Sequence, residues 1–149
     1  MTLAKALGGG VPIGALLAKE KIASAFTPGD HGTTFGGNPF CTGAALAVID
    51  IFKEEKIVEN AAENGAYFAE KLKKLPQTHI AEVRGKGLMI GISFNKPIAA
   101  KVKEKLFENH ILVGAVHDDI LRILPPLIIT KDEIDMFVNT LEKILTEEF

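Results

Sequence analysis

The sequence predicts a mixed α/β chain: a glycine-rich opening third, then a compact α+β unit of sheet and helices over about residues 55–149. Three observations predict it. Eight of the fourteen glycines crowd into residues 1–40, in "GGGVPIG" and "GDHGTTFGGNPF". Apolar residues recur at helical spacing between Ile57 and Leu72 and again between Ile134 and Leu145. Between those stretches the period drops to two, with Leu88, Ile90, Ile92 and Phe94 alternating as a half-buried strand requires.

The elements follow in chain order. "GALLA" reads as a short buried strand and "KEKIASAF" as a short helix. Asn38 is a natural N-cap, with Pro39 at the first helical position. The helix that follows, "CTGAALAVIDIF", is apolar nearly all round, a pattern that predicts burial. A second helix spans about 55–74, with Ile57, Val58, Ala61, Ala62, Phe68, Ala69 and Leu72 largely on one stripe. "HIAEVRGKGLMIGISF" predicts two extended pieces broken at Gly85 and Gly87. Pro97 starts a helix to about 109, and "ILVGAV" and "LRILPPLII" read as short strands. Thr130 and Glu133 have capping-box spacing ahead of a last helix striped by Ile134, Phe137, Val138, Leu141, Ile144 and Leu145.

Composition narrows the function. The net charge of −2 gives no electrostatic footing for nucleic acid. No apolar run reaches the roughly 18 residues of a membrane span, and no signal peptide is apparent at Met1. Cys41 is the only cysteine, so no internal disulfide is possible, which fits a reducing cytoplasm. The four histidines are scattered without metal-ligand spacing, so no metal is expected. Fifteen of the seventeen basic residues are lysine. The two arginines, Arg84 and Arg122, therefore invite the question of what their planar fork of donors is for.

Three places could carry chemistry. Lys5 sits between "MTLA" and three glycines, a setting that offers a dry apolar wall and room for a flat ligand; an amine nucleophile needs such help to lose its proton. On its residues alone it reads first as a solvated lysine near a frayed end. "HGTTFGGNPF", with Thr33, Thr34 and a helix start, reads equally as an anion cradle or as a capped glycine loop. Neither glycine stretch has the spacing of a Walker loop or a dinucleotide fingerprint. Arg122 faces opposite to Leu121 and Ile123 and suits a bidentate grip on a carboxylate. By itself it reads first as an edge-strand arginine in water, paired with Asp118 or Asp119. Arg84 reads as a structural residue fixing the turn between two strands.

Four stretches occur in a familiar order: "TLAKALGGGVPIGA", "GDHGTTFGGNPF", "VRGKGLMIG" and "LRILPPLIITKDEID". Together they span nearly the whole chain, and their ordered set is specific. The sequence resembles the C-terminal part of class III, pyridoxal-phosphate-dependent aminotransferases, those acting on acetylornithine most of all. The resemblance implies fold type I, with residues 1–54 as the end of the large cofactor domain and 55–149 as the small C-terminal domain. It implies that Lys5 holds pyridoxal phosphate and, once freed, moves a proton. It implies that Thr34, with Thr33 beside it, binds the cofactor phosphate of the neighbouring subunit in a homodimer, and that Arg122 grips the substrate α-carboxylate. The implied reaction moves the δ-amino group of N-acetylornithine to 2-oxoglutarate, in arginine biosynthesis. The family's glycine-rich phosphate loop, ring-stacking aromatic and ring-nitrogen aspartate precede this lysine, so the chain is expected to be a C-terminal fragment, inactive alone. The alternatives are another class III aminotransferase, acting on ornithine, succinylornithine, 4-aminobutyrate or a diamine, and a truncated non-catalytic module.

Overall fold

The computed structural model describes residues 1–149 and divides into two compact units, Met1–Lys56 and Ile57–Phe149. In the first unit β1 (Thr2–Leu3) pairs antiparallel with β2 (Ala15–Leu16), with Thr2 opposite Leu16 and Leu3 opposite Ala15. A single 3₁₀ turn, Lys5–Gly8, lies between them. One helical turn, α1 (Glu20–Ala23), and a long loop lead to α2 (Pro39–Glu54). Asn38 caps α2: its Oδ1 accepts the Cys41 N–H at 3.0 Å and its Nδ2 donates to the Phe35 carbonyl at 2.8 Å.

Two expectations for this unit fail. The "GALLA" strand is two residues long and exposed. On α2 only Cys41 and Ala45 are buried, while Phe40, Leu46, Ile49 and Ile51 face water. An apolar helix needs neighbours on every side to be buried. Within this unit a two-stranded ribbon and short turns are too little to surround it.

The second unit supplies its own cover. It holds α3 (Ile57–Lys73), β3 (Ile80–Lys86), β4 (Met89–Phe94), α4 (Ala99–Glu108), β5 (Gly114–Val116), β6 (Ile120–Ile123) and α5 (Lys131–Glu147). The four strands form one antiparallel sheet in the order β3-β4-β6-β5. The predicted alternation is present: Leu88, Ile90, Ile92 and Phe94 are all buried. They meet Phe68 and Leu72 of α3, Val102 and Leu106 of α4, and every residue of the predicted α5 stripe in one core. Phe68 and Phe137 pack edge to face at 5.2 Å between ring centres. Each fully buried large side chain contributes about 1.5–3 kcal/mol relative to exposure. The helices cover one face of the sheet and leave the other face open.

Several boundaries move for local reasons. β3 runs through Gly85 to Lys86, and the hairpin turns at Gly87–Leu88 alone. There α3 crosses at backbone contact: a Cβ on Gly65 would run into the Gly87 carbonyl. β6 stops at Ile123, because Pro125 and Pro126 have no N–H to extend the ladder. The loop that follows is held from α3, where Asn60 Nδ2 donates to the Leu127 carbonyl and the buried Asn64 Nδ2 to the Ile129 carbonyl, each at 2.7 Å. Thr130 and Glu133 form the predicted capping box at the start of α5. No helix is long and apolar enough to cross a membrane.

Candidate active site

Lys5 opens the 3₁₀ turn with φ 58°, the left-handed region that a residue with a Cβ rarely adopts. Holding a non-glycine residue there costs on the order of 1–3 kcal/mol, and such residues cluster at functional sites. Its side chain is exposed and takes part in no ion pair. The dry wall expected around it is not formed by this chain, since Leu3, Ala4 and Ala6 are exposed as well.

Thr33 and Thr34 lie in the loop before α2, both exposed. Thr33 lines a hollow of about 340 Å³ with Pro12, Ile13, Gly36, Asn38 and Cys41. Its methyl group fills the space a Cβ on Gly36 would take, so the loop folds back tightly at that glycine. Thr34 and Lys5 do not line this hollow.

Arg122 stands on β6, on the open face of the four-stranded sheet. Its cross-strand partners are Gly91 on β4 and Gly114 on β5. Gly91 is in turn opposite Arg84 on β3, so one row across the sheet reads Arg84, Gly91, Arg122, Gly114. The two arginines are two strand spacings apart, about 10 Å at the backbone. Their states differ. Arg84 Nη1 donates to Glu82 Oε2 and to Ser93 Oγ, each at 2.6 Å. Arg84 is thus a mid-strand residue tied to its neighbours, and the expected role in the turn is not what the structure gives it. Arg122 forms no ion pair; the expected pairing with Asp118 or Asp119 does not occur. A free guanidinium over a glycine floor can take a flat anion by two parallel hydrogen bonds.

Sequence reasoning missed the two glycines, because strand register is invisible without the turn and the pairing order. A larger hollow of about 610 Å³ in the second unit is lined by Phe68, Ile111, Leu112, Ile128, Met136 and Phe137 among others. The side chains of Thr130 and Glu133 at its edge are engaged with each other in the capping box, so it offers little to chemistry. Glu133 is held below the usual carboxylate range by the Thr130 backbone N–H first and its hydroxyl second. No group of three or more His, Cys, Asp or Glu side chains is gathered as for a metal ion.

The family model for aminotransferase class III matches residues 1–145. The chain belongs to the class III aminotransferases. Among curated relatives of this family, the acetylornithine aminotransferase of Methanocaldococcus jannaschii is 48% identical over 99% of this chain. The ornithine aminotransferase of Oceanobacillus iheyensis is 45% identical over 97% of it. The chain spans 37% and 36% of those two proteins' lengths. Among solved class III structures, the acetylornithine aminotransferase from Elizabethkingia anophelis superposes with a TM-score of 0.90 at 38% identity, over 98% of this chain and 40% of that one. The architecture is therefore that of the fold type I transferases, and the cofactor of this family is pyridoxal phosphate.

Proposed function

We propose that this chain is the lysine-bearing and carboxylate-binding part of a longer aminotransferase that moves the δ-amino group of N-acetylornithine to 2-oxoglutarate, in the cytoplasm and in arginine biosynthesis. The carrying observation is the free Arg122 guanidinium between Gly91 and Gly114, in a chain whose relatives act on amino and keto acids. Residues 1–54 would end the large domain and 55–149 form the small one. The donor set fits pyridoxal phosphate: a lysine amine without an ionic partner, and two exposed threonine hydroxyls beside a tight glycine turn.

When bound, the cofactor supplies an electron sink for the pair left on the substrate carbon as its C–H bond breaks. Lys5 Nζ would hold the cofactor by a covalent bond; once the substrate's amino group takes that bond over, the freed Lys5 amine would take the proton from that carbon and hand it back at the far end of the electron sink. Its left-handed backbone fixes where the side chain leaves the main chain. Thr34, with Thr33 beside it, would donate to the cofactor phosphate of the partner subunit in a homodimer. Arg122 would grip an α-carboxylate. In 2-oxoglutarate the reacting carbon is bonded directly to that carboxylate, whereas the δ-carbon of acetylornithine is three carbons further along. A fixed guanidinium therefore matters most in the keto-acid half-reaction.

The ornithine aminotransferase reading stands beside this one, because relatives of both names are about equally similar. Steady-state assay of the complete enzyme separates them: kcat/KM with 2-oxoglutarate is expected to be higher for N-acetylornithine than for ornithine. Preference for free ornithine would transfer the assignment to the second reading, and failure with both would end the first. Borohydride reduction followed by peptide mapping should recover the cofactor on Lys5 and on no other lysine.

A further inference from the structure

Gly114 is glycine without a backbone reason. Its φ lies outside the left-handed region, it is the first residue of β5 and paired in the ladder rather than placed in a turn, and strands disfavour glycine. What it lacks is used by Arg122. A Cβ at position 114 would stand 3.3 Å from Arg122 Nε, 3.5 Å from Nη2 and 3.6 Å from the Arg122 Cβ. The guanidinium therefore lies down across the edge strand, over the place where a side chain would be. On its other flank the position is reversed. No atom of Arg122 comes within 4 Å of the Cβ position at Gly91, whose near neighbours are Arg84 Cγ at 3.9 Å and the Arg84 carbonyl at 4.0 Å. The floor over Gly91 is open, with Arg122 on one side and Arg84 on the other.

We propose that Gly114 is a positioning residue for α-carboxylate recognition: its missing side chain lets Arg122 lie over β5, which keeps the floor over Gly91 clear for the carboxylate and its first carbon. This rests on the reading of Arg122 as the carboxylate grip. A side chain at 114 pushes the guanidinium toward β4, into the space the substrate needs. Alanine requires a shift of a few tenths of an ångström, which a flexible arginine makes easily. Valine adds two methyl groups, and the guanidinium must leave the edge strand altogether. Valine is also a better strand former than glycine, so the substitution favours the fold while it disturbs the site.

The test is a ratio measured in the complete enzyme: kcat/KM for 2-oxoglutarate over kcat/KM for succinic semialdehyde, which is the same molecule without its α-carboxylate. Gly114→Val is expected to lower this ratio about tenfold, mostly through KM for 2-oxoglutarate, with kcat and the semialdehyde reaction within about twofold. Gly114→Ala should fall between wild type and Gly114→Val, and it replaces that variant if Gly114→Val does not fold. Arg122→Ala is run beside them. An unchanged ratio in the glycine variants with a lowered ratio in Arg122→Ala overturns the proposal and leaves the Arg122 reading intact. An unchanged ratio in Arg122→Ala removes that reading, and the role of Gly114 with it. Equal loss on both substrates in folded Gly114→Val means a general structural effect and also overturns the proposal.

Discussion

Leu72 on α3 has no surface in water, whereas Leu46 on α2 is 59% exposed. Both stand on helices of four turns or more with apolar faces, one in each unit. The difference runs through the whole chain. All nineteen members of the buried core lie in Ile57–Phe149, and the first unit buries only Cys41 and Ala45 among its apolar side chains. Yet the first unit carries Lys5, Thr33 and Thr34, the residues proposed to meet the cofactor. Chemistry and stability are thus assigned to different stretches of one chain. On that proposal, the half with the amine nucleophile has little core of its own. The half with the core carries Arg122, the proposed carboxylate grip, on the open face of its sheet.

The largest expected effect breaks the two apart. Lys5→Ala should lower turnover of the complete enzyme by at least about a thousandfold, since both the covalent hold and the proton carrier are lost. The same substitution should leave the urea unfolding of the 149-residue chain within about 0.5 kcal/mol of wild type, because the side chain is exposed. A large loss of stability would mean that Lys5 is a structural residue after all.

The reverse experiment probes the core. Leu72→Ala should cost about 2–5 kcal/mol, the range for deleting most of a buried leucine. Leu46→Ala in the same chain should cost no more than about 0.5 kcal/mol. Hydrogen exchange of the 149-residue chain should agree, with slow amides in β3, β4, β6 and α5 and faster exchange over residues 1–37. Uniform protection along the chain would show that the two units are stabilised together and would dissolve the contrast.

The second unit was the more legible one, and the reason is physical. A pattern of apolar residues reports what a stretch buries in its finished surroundings. The α5 stripe, the β4 alternation and the capping box at Thr130 all find their partners inside Ile57–Phe149, so pattern and structure agree. The α2 pattern finds cover within its unit only at Cys41 and Ala45, and the same reading failed there. The candidate site was legible only as separate residues. Lys5 and Arg122 could be named from their neighbours in sequence, but the row that brings Gly91 and Gly114 to either side of Arg122 depends on the order β3-β4-β6-β5. The left-handed backbone at Lys5 has no signature in the letters around it.

A smaller effect is expected at the loop before α2. A phosphate accepts charge-assisted hydrogen bonds, so Thr34→Ala should weaken pyridoxal phosphate binding by about 1.5–3 kcal/mol while leaving the lysine able to react. If each site of the proposed homodimer takes its Thr34 from the partner, mixing Lys5→Ala and Thr34→Ala enzymes under subunit exchange should restore activity at one site of each mixed dimer. Restoration requires Thr34→Ala to be nearly inactive alone, which is measured first. No recovery on mixing would mean that Thr34 serves the site of its own subunit's Lys5.

The smallest effect concerns how the second unit responds to acid. Tyr67 and Lys71 on α3 meet Asp135 on α5: the tyrosine hydroxyl reaches both carboxylate oxygens, at 2.8 and 2.9 Å, and Lys71 Nζ is 2.9 Å from Oδ1. Asp135 is held below the ordinary aspartate value near 3.8, by the Lys71 hydrogen bond first and the Tyr67 hydroxyl second. Glu63, Glu70 and Glu133 in this unit are lowered as well, and in the first unit only Asp30 is. A carboxylate whose native pKa lies below its unfolded one adds stability that is complete above the unfolded value and disappears as pH falls through the native value. Thermal unfolding of the second unit should therefore be flat from pH 7 to about 5 and fall below about 4, near the unfolded carboxylate range. Asp135→Asn keeps an acceptor for Tyr67 but removes the charge facing Lys71. The variant should melt slightly lower than wild type at pH 7, and the gap should narrow as pH falls below the ordinary aspartate value near 3.8 and wild-type Asp135 begins to lose its charge too. Because Lys71 and Asp135 are each about one-third exposed, with side chains at 36% and 37%, water and salt screen the pair, and 0.5 M NaCl should shrink the gap at pH 7. A gap of constant size from pH 7 to 3 would assign the effect of the substitution to packing against Tyr67, not to the charge.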